Sequence, residues 1–154
     1  MEIVTRQCII RNFKAEDSRE LYETLSDGEV MKYMEPPYTM EQVKSFIEEA
    51  GVSKLPLIYA LTSRADGKVI GHVIYHKYDE ESCEFGWVLN HDFWGRGIAS
   101  EVTEALLNIA RQDGWKSCVM ECVSEQEATK YIARKFGFTY EGMEDGLEIY
   151  RYHL

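Results

Sequence analysis

The spacing of hydrophobic positions changes along the chain, and each change marks an element. Ile3 to Arg11 alternates weakly and ends in Ile9-Ile10, which predicts a first strand. Asp17, with Glu20 three residues on, reads as a capping box opening a helix whose apolar face is Leu21 and Leu25. Asp27-Gly28 interrupts that helix, and Val30 to Met34 forms a short turn before Glu35-Pro36-Pro37, where two prolines prevent helix. Thr39 with Gln42 makes a second capping box, for a helix that buries Val43, Phe46, Ile47 and Ala50 and closes at Gly51. From Leu57 the pattern becomes β-like. Three strands, Leu57 to Thr62, Val69 to Tyr78 and Cys83 to Leu89, are joined by Ala65-Asp66-Gly67 and Asp79-Glu80-Glu81, which predicts an antiparallel meander.

From Ile98 the apolar residues fall on Val102, Ala105, Leu106 and Ile109, which is helical spacing, and Gly114 stops the helix. Lys116 to Val123 is a strand, expected to lie parallel to Cys83 to Leu89 because a strand–helix–strand unit joins them. Ser124 with Glu127 reads as a third capping box, for a helix that buries Ala128, Ile132 and Phe136 and ends at Gly137. Two last strands, Phe138 to Glu141 and Leu147 to His153, flank a turn at Asp145-Gly146. The 154 residues suffice for one core, so residues 1–154 are read as one domain.

Within this order, Cys83 to Asp113 reads as strand, glycine loop, helix. The first four N–H groups of a helix lack intrahelical partners, and with the positive end of the helix dipole they seat phosphate. Gly95 and Gly97 allow close approach to that backbone, or else they only shape the connection. Two other phosphate loops do not fit. Gly67-Lys68, the sole Gly-Lys pair, is followed by Val69, and Gly95-Arg96-Gly97 is followed by Ser100 where a dinucleotide fingerprint has its third glycine.

Composition narrows the classes. With a net charge of −10 the chain lacks the basic face that nucleic acid requires, while a cationic substrate is compatible. No apolar run approaches the roughly 20 residues of a membrane span and MEIVTRQ lacks the regions of a signal peptide, so a cytoplasmic protein is expected. Cys8, Cys83, Cys118 and Cys122 show neither metal-ligand spacing nor a disulfide framework and read as buried thiols.

Trp94-Gly95-Arg96-Gly97-Ile98-Ala99 resembles the pyrophosphate loop of the GNAT superfamily of N-acetyltransferases, Gln/Arg-x-x-Gly-x-Gly/Ala. Gly97 and Ala99 match. Trp94 replaces Gln or Arg, as in the W-G-x-G-x-A form familiar from the RimJ/RimL-like branch that acetylates N-termini of ribosomal proteins. Ile9 to Phe13, Glu16-Asp17 and Asp27 to Met34 also resemble that branch. The segment ending Lys135-Phe136-Gly137-Phe138 resembles its N-x-x-S-x-x-x-x-x-K-x-G-F, with Gln126 for the Asn and Thr129 for the Ser. The resemblance covers nearly the whole chain. It implies the GNAT α/β fold, a mixed seven-stranded twisted sheet flanked by about four helices and splayed between its fourth and fifth strands.

It also implies a co-substrate, acetyl-CoA, with no metal. The pantetheine would lie along Trp87, Val88 and Leu89 and the diphosphate on the amides of Gly95 to Ala99, with Arg96, Gln126, Thr129 and Lys135 as further contacts. An alkylammonium with a pKa of roughly 10 must lose a proton before it attacks a thioester, so a base is needed. Glu84 is the first candidate for base and cation holder, and Glu121 the second. Ala133 stands where many members carry a Tyr that protonates the thiolate. Tyr131 lies two residues earlier, about 200° around the helix, so it does not substitute; the resemblance makes Thr129, at the family's Ser position, a candidate donor to the sulfur, or else an ordinary helix-face Thr. Tyr33, Glu35 and Tyr38 are expected to line the acceptor side, together with Met34 and the two prolines. The reading is acetyl transfer to a primary amine, either a protein N-terminus or a small cationic amine, by direct attack in a ternary complex. The alternative is a non-catalytic acyl-CoA sensor on the same fold. The last strand, Leu147 to Leu154, is a candidate for pairing across a homodimer.

Overall fold

In the computed structural model, which describes residues 1–154, eight strands form a single mixed sheet. In chain order the elements are β1 (Glu2–Val4), β2 (Cys8–Arg11), α1 (Ser18–Leu25), α2 (Met40–Phe46), β3 (Ile58–Ser63), β4 (Val69–Lys77), β5 (Ser82–Leu89), α3 (Ile98–Gln112), β6 (Ser117–Cys122), α4 (Glu127–Lys135), β7 (Thr139–Glu144) and β8 (Leu147–His153). The sheet runs β1-β2-β3-β4-β5-β6-β8-β7.

The strand count differs from expectation because Ile3 to Arg11 is a hairpin, not one strand. Thr5 N–H donates to the Cys8 carbonyl at 2.8 Å and the Thr5 hydroxyl oxygen accepts from Cys8 N–H at 2.9 Å, which closes a turn at Thr5-Arg6-Gln7. That turn contains no glycine, proline or asparagine and leaves little trace in the pattern. β8 lies between β6 and β7, so it is not free to pair across a dimer; the free edges are β1 and β7.

Of the three expected capping boxes one forms. Thr39 accepts from Gln42 N–H, and Gln42 accepts from Thr39 N–H at 2.8 Å. The helix it opens continues through a π turn, Ile47–Gly51. Asp17 is instead bound to Arg11, at 2.8 and 3.0 Å, and to Lys14 N–H at 2.8 Å, while Glu20 accepts from Val69 N–H on the sheet. At the third position α4 begins at Glu127 behind Gln126. Ala128 is exposed, and the buried positions are Ile132 and Ala133, with Phe136 partly covered.

Residues alternate between the two faces of the sheet, and each face has its own core. The face under α3 and α4 packs Val73, Phe85, Leu89, Val102, Leu106 and Met120. The face under α1 and α2 packs Leu21, Leu25, Val43, Ile58, Ala60 and Val88. The Arg11–Asp17 pair ties α1 to β2, with Asp17 only 7% exposed. Burial pushes the Asp17 carboxyl up, but the Arg11 guanidinium and the Lys14 amide outweigh it and hold the group below its ordinary value. Its contribution is present above pH 3.8 and is lost as pH falls through the lowered value. Asp17→Asn, which leaves Arg11 without its counter-charge, is expected to cost on the order of 3 kcal/mol in urea denaturation at pH 7. A loss below about 0.5 kcal/mol, the size typical of surface substitutions, would contradict that role.

Candidate active site

β5 and β6 are parallel neighbours only at their starts, where Ser82, Cys83 and Glu84 face Ser117, Cys118 and Val119. Beyond that point each strand is held by its other neighbour, β5 by β4 up to Leu89 and β6 by β8 up to Cys122. The two diverge and leave a gap. Asn90 N–H donates to the Ile70 carbonyl at 2.7 Å. Alternation along the antiparallel pair therefore turns the main-chain groups of Val88 and Gly86 toward β4 and those of Trp87 and Leu89 toward the gap. Trp87 and the N–H of Leu89 thus offer an open strand edge, the Leu89 carbonyl being taken by the Trp94 indole, whereas Val88 offers only its side chain.

The gap opens into a cavity of about 360 Å³. Glu84, Gly86, Trp87 and Val88 line it from β5, Met120, Glu121 and Cys122 from β6, Gln126 just before α4 and Thr129 within it, and Tyr33, Met34 and Glu35 from the loop before α2. Tyr38 is not part of the lining. Its ring packs edge-on against Phe46 and its hydroxyl donates to Glu35 at 2.9 Å, so it holds that carboxylate at the rim. Burial, and then Glu35, push the Tyr38 hydroxyl up to about 12.

Three carboxylates and no Lys or Arg line the cavity. Glu84 and Glu121 point to the same face of the sheet, because Glu84 is in register with Val119 and Glu121 lies two residues on. Burial raises the Glu84 carboxyl above its ordinary value, Glu121 raises it further, and His76 opposes the shift. His76 sits opposite Glu84 on β4, with Nε2 3.6 Å from the carboxylate. Its Nδ1 lies 2.8 Å from the Lys77 carbonyl, an acceptor only, so Nδ1 carries a hydrogen and Nε2 faces Glu84. Sequence reasoning missed His76. A hairpin centred on Glu80 places residue 76 opposite residue 84, and that register was available from the Asp79-Glu80-Glu81 turn.

At the far end of β5, Gly95 and Gly97 have φ of 73° and 77°. A Cβ on either would meet nothing within 4 Å, so glycine is needed there for the left-handed backbone and not for space. None of the N–H groups from Gly95 to Ser100 donates to a backbone carbonyl. These consecutive free amides stand at the start of α3, a helix of 15 residues, an arrangement that can accept an anion. Lys135 reaches across from α4 and donates to Ser100 Oγ at 2.9 Å, which brings a cation to the same end. Ile98 is buried beneath the seat and Ala99 begins the helix. Arg96 stacks over the Phe93 ring at 4.9 Å. Trp94 turns back, donating its indole N–H to the Leu89 carbonyl at 2.8 Å and packing against His91, so it fastens the loop to the end of β5.

At the start of α4, Gln126 accepts from Val123 N–H at 2.9 Å, and within the helix Thr129 faces the cavity one turn from Ala133, which is fully buried in the core. Tyr131 is 62% exposed and faces away from the cavity. Cys122 lines the cavity, but burial raises its thiol to about 11. No group of three His, Cys, Asp or Glu side chains is placed to hold a metal ion.

A split sheet edge, an amide seat and a cavity between them is an arrangement that accommodates an extended thioester with a diphosphate tail. The family model for the acetyltransferase (GNAT) domain matches residues 7–139. The chain belongs to this family.

Among relatives, an uncharacterized N-acetyltransferase of Bacillus subtilis (strain 168), YnaD, is 32% identical over 148 residues, 92% of this chain and 85% of that protein. The GNAT-family acetyltransferase from Bacillus anthracis superposes with a TM-score of 0.88 at 25% identity, covering 100% of this chain and 98% of the other. The microcin C7 self-immunity acetyltransferase MccE, solved with acetyl-CoA and AMP, shares the fold with a TM-score of 0.81 at 20% identity, over 97% and 93% of the two chains. Membership of the acetyltransferase (GNAT) family makes the protein an acetyltransferase with acetyl-CoA as donor. Its free amides and the open edge at Trp87 and Leu89 fit that donor. No helix is long and apolar enough to cross a membrane.

Proposed function

We propose that the protein transfers the acetyl group to a primary amine that is cationic in solution, by direct attack in a ternary complex. The observation that carries this reading is the cavity beside the open strand edge, lined by Glu35, Glu84 and Glu121 with no positive side chain. Such a lining attracts an ammonium and repels an acidic acceptor. The raised Glu84 carboxyl is a better proton acceptor than an ordinary one, and it takes the ammonium proton, with His76 Nε2 3.6 Å away. The neutral amine then attacks the thioester carbonyl. The resulting tetrahedral intermediate collapses with loss of the thiolate, a tolerable leaving group at a pKa of roughly 8.5, and the thiolate takes the second nitrogen proton to leave a neutral amide and free thiol. Thr129 and the amide of Gln126 are the cavity donors that steady the sulfur in place of the missing Tyr hydroxyl. An acetyl-enzyme on Cys122 is disfavoured by its raised thiol.

The W-G-x-G-x-A loop and the Lys135-Phe136-Gly137-Phe138 helix end support a place in the RimJ/RimL-like branch, with a protein N-terminus or a small cationic amine as acceptor. A panel of N-terminal peptides, spermidine and an aminoglycoside, read by release of free thiol from acetyl-CoA, tests the charge preference. Turnover is expected on amines carrying a second positive charge, with kcat/KM about tenfold or more above a peptide with acidic residues at positions two and three. Equal or faster turnover of the acidic peptide would contradict the reading.

A further inference from the structure

On the opposite flank of the glycine loop a second cleft, of about 500 Å³, opens between the β1–β2 turn, the β3–β4 turn and the start of α3. Three guanidinium groups line it, Arg6, Arg64 and Arg96, together with the donors Gln7 and Ser63, and no carboxylate belongs to the lining. In a chain with 27 acidic and 17 basic residues, three arginines from three separate segments meeting at one cleft is the reverse of the global charge.

The positions are built. The Glu101 carboxylate of α3 accepts from the Thr5 hydroxyl at 2.7 Å, Gln7 N–H at 2.9 Å and Gln7 Nε2 at 3.3 Å, and lies 3.5 Å from Arg6. Gln7 Nε2 also donates to the Arg96 carbonyl at 3.0 Å, and Arg64 donates to the Thr5 carbonyl at 3.1 Å. These bonds lock the two turns onto the loop and leave the guanidinium groups otherwise unpaired. Glu101 offsets one of the three charges, so the cleft has a net charge of +2 (three arginines less one carboxylate). The floor is apolar, from Phe93 and its neighbours.

We propose that this cleft is a second phosphate site, distinct from the amide seat, for a phosphomonoester dianion carried on an apolar body. A phosphomonoester bears about −1.5 to −2 charges at neutral pH, which balances the cleft, and planar guanidinium groups bind such oxygens in pairs. The phosphate has two possible sources, the 3′-phosphate of acetyl-CoA held by the neighbouring seat, or a separate phosphorylated small molecule.

The test uses the full chain and the variant Arg6→Gln/Arg64→Gln, both exposed positions outside the cavity and the amide seat. Two quantities are measured: calorimetric Kd for acetyl-CoA and for its 3′-dephospho analogue, and Tm in sodium phosphate against sodium chloride at equal ionic strength. If acetyl-CoA is the source, wild type prefers it over the dephospho analogue by about tenfold or more, and the variant loses the preference. If the phosphate is a separate molecule, that preference is unchanged, but phosphate raises Tm clearly more in wild type than in the variant, which keeps only the amide seat. A variant identical to wild type in both measurements overturns the proposal.

Discussion

Gly97→Glu is expected to weaken acetyl-CoA binding by roughly a hundredfold or more while the protein stays folded. Two effects add. The residue sits at φ 77°, where a side chain costs about 1 to 2 kcal/mol of backbone strain. Its Cβ would meet nothing within 4 Å, so packing does not resist the change and the core is untouched. The carboxylate then stands among the free amides from Gly95 to Ser100 and takes the place of the diphosphate as their anion. Losing two charge-assisted hydrogen bonds, about 1.5 to 3 kcal/mol each, accounts for the hundredfold. Gly97→Ala separates the effects, since it carries the strain without the charge. It should lower Tm as much as the Glu variant but weaken binding less than about tenfold. Wild-type affinity in Gly97→Glu would show that the loop does not seat the cofactor.

Glu84→Gln is expected to lower kcat by roughly 10² to 10⁴, the usual worth of a general base, with acetyl-CoA affinity within about twofold of wild type. The same variant should be more stable than wild type at neutral pH. Burial and Glu121 raise the Glu84 carboxyl above its ordinary 4.5. A carboxyl raised on folding costs no stability below the unfolded value, and its cost grows as pH rises toward the folded one. The Tm gain of the Gln variant is therefore expected at pH 8 and absent at pH 4. In wild type the acid limb of kcat/KM should fall above the ordinary carboxylate range, and the variant should lose or move it. Equal losses in turnover and cofactor affinity, with no Tm gain at pH 8, would make Glu84 a structural residue.

What could be read from sequence divides by the range of the physics behind it. The glycine loop was legible because only glycine occupies φ near +75° freely, so Gly95 and Gly97 announce their backbone without reference to the rest of the fold. The parallel crossover from β5 through α3 to β6 followed from handedness and connection length. Asp17 was misread because its local signature, an acid before an apolar run, fits a cap, whereas its partner Arg11 comes from β2. The β1–β2 hairpin was hidden by a turn closed through a Thr hydroxyl and anchored by Glu101, 96 residues from Thr5. Tyr38 was assigned to the cavity from its neighbours in sequence, but the edge-on contact with Phe46 turns it behind Glu35. The arginine cleft is assembled from three turns distant in sequence, and no single segment carries its pattern.

Amide hydrogen exchange followed by NMR, with and without acetyl-CoA, tests the central claim most directly. In the free protein the N–H groups from Gly95 to Ser100 and those of Trp87 and Leu89 lack intramolecular partners and should exchange rapidly. Acetyl-CoA at saturation is expected to slow exchange at both sets, the first through the diphosphate and the second through the pantetheine lying along β5. Saturable binding that leaves both sets as fast as before would contradict the account, because the cofactor would then lie somewhere other than the split between β5 and β6.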